Sequence, residues 1–172
     1  MSTSTAPGMR VKVGDPIPSV GLRATDGYLL NLRSSVTKQP SLLIFFGAPT
    51  LEGAAREAGD ALAAALKSAH KRVEAAGAML VGITCDSAEQ QLTYAKEKGL
   101  PFLLFSDERR SAVELLGVPT TVDGENHNAV PTAFAVGIDG TIVDIVENVQ
   151  PKGLIARLLE SVEEAKAPPA EN

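Results

Sequence analysis

The chain of 172 residues has one cysteine, Cys85, and no tryptophan. A single thiol closes no internal disulfide and supplies no Cys-x-x-Cys pair. Two histidines, His70 and His127, with one cysteine are too few for a dedicated zinc centre, and nothing else in the sequence implies a metal or a cofactor. Aromatic residues make up 4% of the chain, which leaves no stacking platform for bases. Basic residues are outnumbered, 16 against 21 acidic, for a net charge of -5. That balance argues against nucleic acid and anionic membrane surfaces, since both need a basic footprint. No apolar run approaches the roughly 20 residues of a membrane helix. The opening MSTSTAPGMR has no hydrophobic segment and does not read as a secretory signal. A lone free thiol fits a reducing compartment, so the cytoplasm is the expected location.

What is present suits one globular domain: 44% apolar and 22% charged residues. It is expected over residues 11–164, between a flexible tail at 1–10 and a disordered one at 165–172. The chain is organised around Leu42 to Glu57, LLIFFGAPTLEGAARE. A continuously apolar strand, Leu42 to Phe46, suits burial on both faces. A tight turn at Gly47, Ala48 and Pro49 then leads into a helix expected from about Leu51 to Ala76. Upstream, Ser19 to Ala24 and Tyr28 to Leu32 read as strands joined by an Asp26-Gly27 hairpin turn, and Ser34 to Pro40 as a polar connection. Downstream, Met79 to Thr84 is a buried strand ending at Cys85. Ser87 and Gln90 form a capping box for a helix that runs to Lys98 and stops at Gly99. Phe102 to Phe105 is the next strand, Asp107 to Leu116 a short helix, and Val118 to Asn128 a loop. Thr132 to Val136 and Thr141 to Val146 read as a hairpin, and Pro151 opens a last helix. Alternating strands and helices imply a mainly parallel sheet with helices on both faces. Sites in such sheets collect at the C-terminal strand ends, which should bring Pro49-Thr50 and Cys85 together.

Taken in order, these pieces resemble the peroxiredoxin branch of the thioredoxin superfamily, the AhpC/TSA-like proteins. VGDPIP with TDGYLLNL is similar to the family's opening strand and hairpin, and LLIFFGAPTLEGAAREA to the strand-turn-helix that bears the redox cysteine. VGITCDSAEQQLTYAKEKGLPFLLFSDERRSAVELLGV and PTAFAVGIDGTIVDI resemble its middle and its closing hairpin. The resemblance covers roughly Val11 to Val162. It implies an α/β thioredoxin-like fold: a central mixed sheet with an N-terminal β-hairpin extension and helices on both faces. It also implies thiol peroxidase chemistry, in which a thiolate attacks the peroxide O–O bond. There, helix amides and an arginine lower the thiol pKa, and a threonine hydroxyl holds the peroxide.

The residues for that chemistry are incomplete. Of the family's P-x-x-x-T-x-x-C, Pro49 and Thr50 are present but adjacent. Counting from Thr50 puts the cysteine position at Gly53; aligning GAAREA with G-C-x-x-E-A puts it at Ala54. The arginine expected before the closing hairpin is missing, and Pro131 stands there. Val130-Pro131-Thr132 instead resembles the thioredoxin and TlpA-like element in which a cis-proline faces the active site. In that frame Thr50-Leu51-Glu52-Gly53 fills the CxxC slot, and Pro131 is expected to be cis. Pro49, Thr50, Gly53, Ala54 and Pro131 therefore mark a vacated active site.

Three readings follow. The domain has lost thiol peroxidase chemistry and binds a protein partner, a second copy of itself, or a small ligand. Or Cys85 is the catalytic thiol, with an external thiol as its resolver. Or the chain is a cysteine-to-alanine variant at Ala54. Each residue also has a plainer role. Thr50 is most simply a helix N-cap with Glu52 answering the dipole. Cys85 is most simply a half-buried structural residue, whose pKa the neighbouring Asp86 would raise. His70 reads as part of a solvated basic patch, His127 as a solvated loop residue, and Glu160, Glu163 and Glu164 as a solvated helix face.

Overall fold

The structure, a computed structural model, describes residues 8–166. In chain order it runs β1 (Gly21–Ala24), β2 (Leu29–Asn31), α1 (Leu32–Ser35), β3 (Ser41–Phe45), α2 (Gly53–Ala75), β4 (Met79–Thr84) and α3 (Ala88–Lys98). Then follow β5 (Leu103–Ser106), α4 (Ser111–Leu116), β6 (Thr120–Asp123), β7 (Asn126–Ala129), β8 (Thr132–Val136), β9 (Ile142–Glu147) and α5 (Leu154–Lys166). Seven strands form one sheet in the order β2-β1-β5-β4-β3-β8-β9, and β6-β7 is a separate hairpin. Only β3/β4 and β4/β5 pair in parallel; the other four contacts of the sheet are antiparallel. The sheet is thus mixed, with a parallel centre.

Side-chain alternation along the central strands divides the interior in two. Leu42, Ile44 and Phe46 of the β3 region and Leu80 of β4 face a layer containing Leu62, Leu66 and Val73 of α2, Tyr94 of α3 and Leu158 of α5. Leu43 and Phe45, with Val81 and Ile83, face the other layer, with Leu32 of α1 and Ala112, Val113 and Leu116 of α4. Both faces are fully buried, which is why the central strand reads as a continuous apolar run.

Several local readings change. Helix α2 begins at Gly53 with Glu52 as its N-cap, and no side chain caps it; Thr50 lies outside the helix. The stretch expected to be a polar connection contains α1, because Asn31 accepts a hydrogen bond from the Ser34 amide and Leu32 inserts into the core. The stretch read as a loop over 118–128 contains β6 and β7; TTVD and NHNA lack the apolar alternation that announces strands. Asp107 lies before α4 rather than in it. Its carboxylate accepts from the Ala112 and Val113 amides at 3.0 and 2.9 Å and so serves the start of that helix. The Ser87/Gln90 capping box and the left-handed Gly99 stop on α3 form as the sequence implies. The two expected tails fall mostly outside the described residues, but Arg10 is tied down, its amide donating to the Leu116 carbonyl at 2.9 Å.

Candidate functional site

The C-terminal ends of β3 and β4 converge as the topology requires, but the residue that meets Thr50 is Asp86. The Thr50 hydroxyl donates to Asp86 Oδ1 at 3.3 Å. Cys85, one residue earlier, points the other way. The same alternation that puts Val81 and Ile83 on the α1/α4 side puts Cys85 there too, packed against that layer. So the expected pairing of Pro49-Thr50 with Cys85 holds for the backbone and fails for the sulfur.

The surroundings of Cys85 suppress its ionisation. Burial pushes the thiol up to about 12, and the carboxylates of Asp107 and Asp86 add to that; Arg110 and the Ala129 amide act weakly in the opposite sense. A thiolate nucleophile needs the reverse environment.

At the start of α2, Gly53 has a left-handed φ of 62°, which suits glycine, while Ala54 sits in regular helix. Of the two frames for the missing cysteine, only the one at Ala54 places a side chain on ordinary backbone. Both positions are exposed. Pro49 borders a cavity of about 440 Å³ with Arg56, Glu89, Gln90, Thr93, Tyr94 and Glu97. Its wall is held by a charged network. Arg56 Nε reaches both Asp60 oxygens at 3.0 and 3.1 Å, and the Tyr94 hydroxyl donates to Asp60 at 2.6 Å. Burial alone would push Asp60 up, but the hydrogen bonds from Tyr94 and Arg56 outweigh it and hold the carboxyl below its ordinary value.

Pro131 is trans: no peptide bond among the described residues is cis. Trans is the ordinary preference of an X-Pro bond, and here the flanking Val130 amide is fixed on the Pro119 carbonyl at 2.8 Å. Pro49, Thr50, Gly53 and Ala54 lie at the turn into α2, and Pro131 stands at the same end of the sheet, since Thr132 after it pairs with Phe45 at the end of β3. His70 is not solvated. Its side chain is 15% exposed, 3.7 Å from Glu74, and its ring lies 6.2 Å from that of Phe102. His127 is on β7 and only half-exposed.

Two residues that the sequence reading gave no role at the site, Asp86 and Asn128, are buried and under-partnered, as is Gln91 at its Oε1. Asp86 is 3% exposed and its Oδ2 has no partner; Asn128 is 2% exposed and neither amide atom has one among the described residues. Asn128 lies against Gly47, where a Cβ would come within 2.7 Å of its Oδ1. The sequence carried a signal for Asp86, an acid directly after an apolar strand on the functional edge. It carried none for Asn128, which sits in an unrecognised hairpin.

These features can be set beside known proteins. Residues 13–145 match the model of the AhpC/TSA family. The chain belongs to the AhpC/TSA family. A chloroplastic peroxiredoxin Q of Populus jackii is 31% identical over 115 residues, 67% of this chain and 51% of that protein. The chain therefore spans about half the length of this and several other plant relatives. A putative peroxiredoxin bcp of Helicobacter pylori is 24% identical over 156 residues, 89% of this chain and 99% of its own. Among solved structures, the peroxidoxin BcpB of Mycobacterium tuberculosis superposes with a TM-score of 0.77 at 19% identity, covering 92% of this chain and all of that one. A peroxiredoxin Q mutant from Xylella fastidiosa gives 0.76 at 16%, covering 93% of this chain and all of its own. The peroxiredoxin-like thioredoxin fold is thus shown, as the resemblance implied. No helix among the described residues is long and apolar enough to cross a membrane. The relatives' names include chloroplastic forms, so the expected cytoplasmic location does not carry over from them.

Asp86 offers a pH test. Burial raises its pKa, against hydrogen bonds from Thr84 and Thr50. A carboxyl whose pKa is raised by folding holds its proton more tightly in the folded state. Its contribution is full below the unfolded value of 3.8 and is lost as pH rises through the folded one. Asp86→Asn keeps an acceptor for Thr50 and removes the titration. The variant is expected to melt higher than the wild type at pH 7, with the gap closing near pH 4, in thermal scans across that range.

Proposed function

We propose that this AhpC/TSA protein has lost thiol peroxidase chemistry and acts by binding, at the edge formed by Pro49, Thr50, Asp86 and the start of α2. The observation that carries the reading is the position of the only thiol, packed on the α1/α4 face away from that edge. In this reading Ala54 occupies the seat of the lost nucleophile. Its exposure, and the 440 Å³ cavity beside Pro49, support a surface that a protein partner, a second copy or a small ligand covers. Catalysis by Cys85 needs a thiolate, and the thiol's surroundings oppose one.

Stopped-flow hydroperoxide consumption, with dithiothreitol as the external thiol, tests this. Wild type and Cys85→Ser are expected to match the buffer rate. Rapid consumption that Cys85→Ser abolishes would establish Cys85 as the nucleophile and end the binding proposal. The native codon at position 54 separates both from a cysteine-to-alanine variant.

A further inference from the structure

A second cavity shares no lining residue with the one beside Pro49. Residues 8–10, α4 and the β6-β7 hairpin enclose a cavity of about 390 Å³. Among the described residues, Arg10, Arg110 and His127 line it against a single acid, Glu114. The remaining wall includes the apolar side chains of Val113, Val118, Pro119 and Val122. Val122 is 61% exposed, a large apolar residue left facing water at the cavity rim. Neither arginine forms a salt bridge among the described residues, although the chain as a whole carries a net charge of -5.

Arg110 is held there in a costly conformation. Its φ is 62°, in the left-handed region that glycine, asparagine and aspartate tolerate and arginine does not favour. The only other such non-glycine residue among those described is an asparagine, Asn148. The backbone at 110 is fixed on both sides: its amide donates to the Asp107 carbonyl at 2.9 Å, and its carbonyl accepts from Glu114 at 3.0 Å. Glycine would suit this turn better, so the arginine is explained by its side chain rather than by the fold.

We propose that this cavity binds a small organic anion, a carboxylate or phosphate carried on a compact apolar body. Arg10 and Arg110 supply the charge and planar donor forks that match such oxyanions. His127 supplies a further ring N–H, and Val122 and Pro119 cover the apolar part, over a floor of buried Val113 and Val118. The volume lies at the lower end of the small-molecule range, about 300–1,000 Å³.

Phenyl phosphate is a suitable probe, with inorganic phosphate and phenol as its two halves. Calorimetry at constant ionic strength is expected to show saturable binding of phenyl phosphate, weaker binding of inorganic phosphate and none of phenol. Arg110→Gly should weaken phenyl phosphate at least tenfold while the melting temperature stays level or rises. Arg10→Gln, at an exposed position, should weaken it without touching the turn. In proton NMR the ring signals of His127 should move on titration and those of His70 should not. Wild-type affinity in both variants, equal binding of phenol, absence of saturable binding, or equal movement of both histidines would overturn the proposal.

Discussion

Alanine in place of Gly59 is expected to destabilise the protein by about 3 kcal/mol, the upper end of ordinary overpacking. The direction runs against helix propensity, since alanine in a helix interior is better than glycine by about 1 kcal/mol. Gly59 lies on the buried stripe of α2 with Leu62, Ala63 and Leu66. A Cβ at that position would stand 2.1 Å from the Gly47 carbonyl oxygen and 2.9 Å from the Ala48 Cβ. These are backbone and a first side-chain carbon, with no flexible end to swing aside. Nor can the turn retreat, because Asn128 presses on Gly47 from its own side and Leu51 closes on the Ala48 carbonyl at 3.0 Å. The helix and the turn that leads into it are therefore in backbone contact, and that contact sets where Ala54 and Thr50 stand. Urea unfolding followed by far-ultraviolet circular dichroism measures the loss. A variant as stable as the wild type would show that α2 does not lie this close.

Cys85 is expected to alkylate far more slowly in the folded protein than in the unfolded chain. Its thiol is pushed up to about 12 from an ordinary value of 9.0, which removes about a thousandfold of the thiolate at neutral pH. A more basic thiolate is a better nucleophile, with a Brønsted slope of about 0.4–0.5, so part of the deficit returns. The net slowing from ionisation alone is about fifty-fold, and the half-buried position of the sulfur adds to it. Iodoacetamide labelling at pH 7.4 with and without guanidinium, read by mass spectrometry, gives the ratio directly because there is no second cysteine to confuse it. Labelling at similar rates in both conditions would mean that the thiol is open and ionisable, and the binding reading would lose its physical basis.

The architecture was legible because its signals are redundant. Apolar strands at Leu42 to Phe46 and Met79 to Thr84, a capping box at Ser87 and glycine stops at Gly77 and Gly99 all point to the same alternation of elements. What was missed lacked such signals. The β6-β7 hairpin is built from polar residues whose strand character comes from pairing Thr120 with Ala129 and Val122 with His127. Thr50 looks like an N-cap by composition, yet Glu52 takes that place and Thr50 is drawn to Asp86 instead. Such a long-range partner has no local trace. His70 sits in a run of lysines and arginines, but its own helical turn directs it toward Phe102. The orientation of Cys85 was available all along: it follows from counting along β4.

That counting has a wider consequence. Neighbouring positions at the tip of one strand, Cys85 and Asp86, belong to different compartments of the molecule, and odd or even number alone assigns them. Inserting a single residue after Ile83 would carry the sulfur into the place Asp86 holds beside Thr50 and leave Thr84 in the place the sulfur had. Gaining or losing a reactive group at such a tip can thus be a question of parity, reachable in one step without any change in the residues themselves.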